Sequence, residues 1–321
     1  MRRSTFIASL AGIPIFASGL AGAKENSTPV RLLVGFSAGG ALDTVARAVA
    51  ERLRVTLNQP VVVENKPGAA QRLALSELKR TKADGLTLML SNSAPFTMFP
   101  HFYNKLEFDP VKDFTPIGRV ATYNLCIAAG PKAPAGGIKE FLAWAKKHPS
   151  EAAYGTSGGG TPGHFVGDMV SRATGVPLIH VPYKGGAPAM TDLAGGQIPI
   201  IADTILESLE MAKGGKVRLL ATSGTTRTAA TPDVPTLRES GIDVVVEAYV
   251  GIYGPPGMSD DKVQRIVKAL GDAMQSPDLQ KRIQQFAMTP AYAPAADLVR
   301  FQAESLKRWE EPIKASGFIV D

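Results

Sequence analysis

Two glycine-rich segments carry the clearest chemistry in this chain. Val34-Gly35-Phe36-Ser37-Ala38-Gly39-Gly40 runs into a helical pattern carrying Asp43, and Tyr154-Gly155-Thr156-Ser157-Gly158-Gly159-Gly160 runs into one carrying His164. Ser37 and Ser157 stand 120 residues apart, each followed by a small residue and two glycines. A strand, a glycine-rich turn and a helix in that order leave backbone N–H groups unpaired. The helix dipole adds about half a positive charge at its N-terminus, so each segment is suited to an anion. Glycine also lets a ligand approach the backbone where no Cβ intervenes. Taken singly, such turns are common features of α/β geometry; as a pair in two similar halves, they predict a cleft with an oxyanion between them.

Other chemistry fits less well. Gly155-Thr156-Ser157-Gly158-Gly159 satisfies the G-x-S-x-G nucleophile pattern, which makes a secreted α/β-hydrolase with Ser157 as nucleophile the alternative reading. That mechanism needs an acid and then a histidine well downstream, yet the only histidines after Ser157 are His164 and His180, both close by. Neither glycine-rich segment gives a full dinucleotide fingerprint, and no phosphate-loop motif is present. Asp43 is either a dipole-favouring residue or a ligand-facing carboxylate, and His164 either orients its loop, meets the anion or packs structurally. Asp203 follows the apolar run Ile198 to Ala202, at the kind of strand end where α/β clefts collect ligands. The single cysteine, Cys126, lies in an apolar run and is expected in the core; with only four histidines as well, neither a disulfide framework nor a metal centre is expected.

The elements that must position these residues alternate. Short apolar runs at 30–36, 61–64, 86–90, 125–128, 178–181, 198–202, 217–221 and 244–253 read as strands, with helical patterns between most of them. Leu42, Val45, Ala46, Val49 and Leu53 form one helical stripe; Phe141, Trp144 and Ala145 form a shorter one. Leu298, Phe301, Ser305, Leu306, Trp309 and Ile313 outline a long terminal helix whose aromatics suit core packing. This alternation predicts an α/β protein with mainly parallel sheet, and 321 residues suffice for two domains. A hydrophobic fraction of 45% with 20% charge excludes disorder and a multi-span membrane protein.

Arg2 and Arg3 precede an acid-free apolar run from Phe6 to Leu20 and then Ala21-Gly22-Ala23, which reads as a signal peptide over residues 1–23. Its removal would leave 33 basic against 29 acidic side chains, a mild +4 with no basic run suited to nucleic acid.

Several further motifs accompany the two segments: Asp43 with Arg47, Val63-Glu64-Asn65-Lys66-Pro67-Gly68-Ala69, Ala83-Asp84-Gly85-Leu86-Thr87-Leu88, Val181-Pro182-Tyr183-Lys184-Gly185, Gly195-Gly196-Gln197, and Pro232-Asp233-Val234-Pro235-Thr236 with Glu239. In this order the mature chain resembles Bug-type (TctC-like) solute receptors, the extracytoplasmic binding proteins of tripartite tricarboxylate transporters. The resemblance implies a two-domain Venus-flytrap fold of type II-like periplasmic binding proteins, each domain a mixed, mainly parallel sheet flanked by helices. Residues 24–124 with 249–321 would form one domain and 125–248 the other, with crossings near Tyr123 to Cys126 and Val246 to Val250. It implies that Phe36, Ser37, Ala38, Gly39 and Gly40 face Thr156, Ser157, Gly158, Gly159 and Thr161 across a ligand carboxylate. Asp43, Ala69, Ala70, Ser91, Ser93, His164 and Asp203 complete the expected ligand set. A periplasmic monomer with no cofactor, metal or catalytic residue is expected, delivering a small organic carboxylate (a dicarboxylate, an amino acid or an aromatic acid) to membrane permease components. The chain departs from the family's Gly-Ala-Gly-Gly at Gly68-Ala69-Ala70-Gln71-Arg72. There Gln71 and Arg72 either narrow the site, add a cation for a second carboxylate, or point to solvent.

Overall fold

The computed structural model describes residues 28–321; the expected signal peptide lies outside them. Each half of the chain begins with the same unit. In the first half β1 (Val30–Val34), α1 (Ala41–Leu57) and β2 (Val61–Asn65) form a parallel crossover with Val30 opposite Val61. It continues through α2 (Arg72–Lys79) and β3 (Thr87–Asn92), the latter on the other side of β1, and then α3 (Ala94–Thr97). In the second half β5 (Ala153–Thr156), α5 (Pro162–Thr174) and β6 (Ile179–Pro182) repeat the crossover, with Ala153 opposite Ile179. There α6 (Gly186–Ala194) leads to β7 (Ile200–Thr204) on the far side of β5, followed by α7 (Ile205–Lys213) and β8 (Arg218–Thr222).

Between the halves runs β4 (Thr115–Ala129), fifteen residues long, followed by α4 (Ile138–Lys147). The chain returns through β9 (Glu247–Gly254), α8 (Asp260–Met274), α9 (Pro277–Gln285), β10 (Thr289–Pro294) and α10 (Ala295–Ser316). Residues Thr115 to Asn124 of β4 pair with β9, while Leu125 to Ala129 pair with β7 and β8. The strand order is therefore β2-β1-β3-β9-β4-β7-β5-β6, with β8 and β10 also on β4. Every antiparallel pairing among the described residues involves β4 or β9; the remaining pairs are parallel.

The expected strands are present to within a few residues at their ends, but β4 begins ten residues before the expected Leu125, and β10 had no counterpart in the sequence reading. Prolines and glycines mask both. Pro116 and Gly118 flank one register shift in β4, and the partner strand Thr289–Pro294 shifts register between Pro290 and Ala293. The stripe residues Val45, Ala46, Val49 and Leu53 are buried under β1 and α8, and Trp309 and Ile313 of α10 are buried with Phe165 of α5. Cys126 is buried, and burial pushes its thiol up to about 12.

Ser223 ties β4 to the segment that leads into β9. Its hydroxyl accepts the Leu125 N–H at 3.0 Å and donates to the Val246 carbonyl at 2.6 Å, and its backbone N–H bonds the Leu125 carbonyl at 2.9 Å. The residue is 1% exposed, so no water can substitute. Ser223→Ala leaves the Leu125 N–H buried and unpaired. The expected loss is about 2 kcal/mol of stability, read in a melting experiment as a fall of roughly 3 °C in Tm.

Candidate functional site

The registers fix where the loops go. β3 ends at Asn92 beside Val250, and β7 ends at Thr204 beside Leu125, so both run with their carboxyl ends toward the middle of β4. In each half the strand order reverses at the first strand: β2-β1-β3 in one, β6-β5-β7 in the other. Such switch points open a crevice beyond the strands' carboxyl ends. At these ends lie Phe36 to Gly40 after β1, Ser91 and Ser93 at β3, Thr156 to Thr161 at β5, and Asp203 at β7.

The first loop is held from beneath. The Asp43 carboxylate, 2% exposed, accepts the Gly39 N–H at 2.8 Å and Arg47 at 3.0 Å on Oδ2, and the Asn65 side chain at 2.9 Å on Oδ1. Asn65 also donates to the Phe36 carbonyl at 3.0 Å. Burial raises the Asp43 pKa, but Arg47, the Gly39 N–H and Asn65 outweigh it and leave the carboxyl below its ordinary range. Gly39 has φ +87, which explains the glycine. Among the described residues no side chain caps α1, whose first backbone bond runs from the Thr44 N–H to the Gly40 carbonyl, so donors of the first turn stay unpaired. Ser37, Ala38, Gly39 and Gly40 are exposed and Phe36 is half-buried.

The second loop uses the same device with a different residue. The Gly160 N–H bonds Nδ1 of His164 at 3.2 Å, four residues on, as Gly39 bonds Asp43 four residues on. Thr156 and Thr161 both donate to the Gly158 carbonyl, at 3.0 and 2.8 Å, and Thr161 accepts the His164 N–H. Gly159 is exposed; Ser157, Gly158 and Thr161 are half-buried; Thr156 is buried. His164 stacks on His180 at 3.9 Å between ring centres, and His180 Nε2 meets the Thr156 hydroxyl at 2.7 Å. Both imidazoles are thus engaged with residues other than Ser157, whose neighbour is the Asp203 carboxyl.

Asp203 is 6% exposed. Its Oδ1 accepts the Thr204 N–H at 2.8 Å, while Oδ2 is buried with no hydrogen-bond partner. Burial pushes the carboxyl upward, and Thr204 and Ser157 pull it back only in part. Ser91 and Ser93 are also inside: Ser91 donates to Gln71 at 3.0 Å, and Ser93 accepts the Tyr249 N–H.

The Ala69-Ala70-Gln71 segment was placed at the cleft by sequence, but its conformation was not legible there. All three residues have positive φ, at 45, 52 and 75, a cost of about 1 kcal/mol or more each. Gln71 is what holds them. It is 2% exposed, donates to Asn92 at 2.8 Å, accepts from Ser91, and packs so close to Gly35 that a Cβ there would lie 2.6 Å from it. Gln71 therefore points inward, tying Ala69 and Ala70, both exposed, to the first loop. Asn65, Gln71 and Asn92 do their work through partners distant in sequence; Asn65 and Gln71 stood in motifs that the sequence picked out, and nothing marked Asn92.

The histidine pair makes the second loop sensitive to acid. Burial holds both His164 and His180 at about 4, below the ordinary 6.5. Between pH 6.5 and 4 the unfolded chain takes up protons that the folded chain refuses, so stability is complete above pH 6.5 and falls as pH drops toward 4. His164→Gln keeps an acceptor for Gly160 but cannot titrate; a plot of Tm against pH is expected to be flatter for this variant across that window.

Comparison with known proteins agrees with this architecture. The family model described as Tripartite tricarboxylate transporter family receptor matches residues 45–318. The UPF0065 protein in the gbd 5' region of Cupriavidus necator is 34% identical, covering 92% of this chain and 89% of its own. Among solved structures, periplasmic binding protein BugD is 33% identical with a TM-score of 0.81, covering 91% of this chain and 98% of its own. MatC from Rhodopseudomonas palustris with bound malate is 27% identical with a TM-score of 0.78, covering 89% and 98%. R. palustris Rpa4515 with adipate is 26% identical with a TM-score of 0.84, covering 91% and 98%. With the paired loops, the switch-point crevices and the two-half sheet, the match over most of its length shows that this chain belongs to the tripartite tricarboxylate transporter receptor family, the Bug-type periplasmic solute-binding proteins.

Proposed function

We propose that this chain is an extracytoplasmic receptor that closes two lobes on a small organic carboxylate and passes it to the membrane permease components of a tripartite transporter. The observation that carries the reading is the matched pair of loops. In each, one glycine N–H is tied to a side chain of the following helix, which fixes the loop and leaves other donors available at 36–41 and 157–161. Malate and adipate, bound to the two structural relatives, are both carboxylates, which supports the ligand class. The lobes are residues 24–124 with 249–321 and residues 125–248, hinged where β4 passes from one set of partners to the other and where the chain enters β9. Residues 1–23 direct export to the periplasm.

A ligand that touches both loops binds the closed arrangement more tightly and shifts the population toward it. Binding through backbone N–H groups needs no acid–base pair. Engagement of His164 with Gly160 and of His180 with Thr156 also leaves Ser157 without the base that a hydrolase requires.

The test is a thermal-shift screen of mature protein, stripped of carried-over ligand, against mono-, di- and tricarboxylates and amino acids. A ligand at about 100 times its Kd is expected to add ~2.7 kcal/mol of stability, a Tm rise of several degrees. Gly39→Val, at a position with φ +87, is expected to remove that rise. No shift with any carboxylate, together with ester hydrolysis lost in Ser157→Ala, would overturn the proposal.

A further inference from the structure

Arg72 opens α2 directly after the left-handed run, beyond the carboxyl end of β2. Its Nε donates to the Ala69 carbonyl at 3.2 Å, and its guanidinium lies over the Tyr103 ring, 4.6 Å from the centre. Among the described residues it has no ion pair, and its two terminal nitrogens make no hydrogen bond to the protein. The side chain is half-buried. A fixed cation with both terminal nitrogens free is prepared for an external anion, since the planar fork takes a carboxylate end-on through two parallel N–H bonds.

Its neighbours place it between the two loops. Gln71, the preceding residue, packs on Gly35 at the root of the first loop. Tyr103, beneath the guanidinium, packs on Phe102 at 4.9 Å between ring centres. A Cβ on Gly160 of the second loop would lie 2.9 Å from Phe102. The strained backbone of residues 69–71 has a purpose in this setting: with Gln71 anchored on Ser91 and Asn92, the turn carries Arg72 up to the Ala69 carbonyl and onto Tyr103.

We infer that Arg72 is the specificity-determining residue for a second carboxylate, so that the receptor selects dicarboxylates whose near end sits on the glycine-rich loops and whose far end meets this guanidinium. The inference rests on the receptor reading above. A second cation near the second loop, Lys184, is exposed and makes no side-chain hydrogen bond or ion pair among the described residues.

The experiment is calorimetric titration of the wild-type mature protein, Arg72→Gln, Arg72→Lys and Lys184→Gln with matched acids: succinate and butyrate, glutarate and pentanoate, adipate and hexanoate. Wild type is expected to prefer the dicarboxylate of the best-binding pair by tenfold or more. Arg72→Gln should lose that preference by weakening the dicarboxylate at least tenfold while changing the monocarboxylate less than twofold. Arg72→Lys should fall between, and Lys184→Gln should keep the preference. An unchanged ligand-free Tm in Arg72→Gln confirms that the fold is retained. The inference is overturned if Arg72→Gln keeps the preference, if it weakens both acids alike, or if Lys184→Gln removes the preference instead. Wild-type binding with no preference for a second carboxylate overturns this inference and leaves the receptor reading standing; no binding of any acid by wild type overturns both.

Discussion

The continuity of β4 governs this structure. One strand of fifteen residues supplies a pairing edge to each half of the sheet, and the change of partners falls between Asn124 and Leu125. Because β3 and β7 are fixed in register on either side of that point, their carboxyl ends must approach one another. The loops beyond β1 and β5 follow, since each of those strands is the parallel neighbour of β3 or β7. A cleft between halves is thus a consequence of strand direction and not of any local motif. Ser223 fixes β4 against the segment entering β9, through bonds to Leu125 and Val246. A buried bond of that kind contributes modestly when made and costs more when broken, because the orphaned N–H has no water to turn to.

On that frame the two loops solve one problem with two chemistries. A glycine-rich turn is permissive, and for the binding role proposed above permissiveness is a disadvantage, because a mobile loop must be ordered when a ligand arrives. Each turn is ordered in advance by a side chain four residues further on: a carboxylate for Gly39, a neutral imidazole for Gly160. The carboxylate is itself neutralised by Arg47 and satisfied by Asn65, so it supports the loop with its own charge balanced. The imidazole is kept uncharged by burial against His180 and Phe318. Asp203, whose carboxyl is pushed upward by burial, is likewise biased away from carrying charge beside the second loop.

Much of this was legible in the sequence. The echo between Ser37 and Ser157 is a true structural repeat, as the two parallel crossovers show, and the apolar runs located most strands. The aromatic stripe of the last helix is packing, with Trp309 against Phe165. What stayed hidden has a common cause. The first ten residues of β4 and all of β10 carry proline or glycine at positions where a register shift accommodates them, so local propensity misreads them. The inward turn of Gln71 depends on Ser91 and Asn92, twenty and twenty-one residues away, and the clamp at Ser223 on a partner ninety-eight residues away. Side chains whose role is set by distant partners leave no periodic trace. Asp43 and His164 lay between these cases: their placement in the first helical turn was visible, their inward bonds to Gly39 and Gly160 were not.

On the proposed function, one carboxylate is held by backbone N–H groups of both loops together. Backbone amide resonances of the isotopically labelled mature protein, followed while adipate or malate is titrated, test it most directly. On that reading, amides in residues 36–41 and 157–161 shift together along one saturation curve. Shifts confined to one loop, or absent from both while the ligand binds elsewhere, would contradict it.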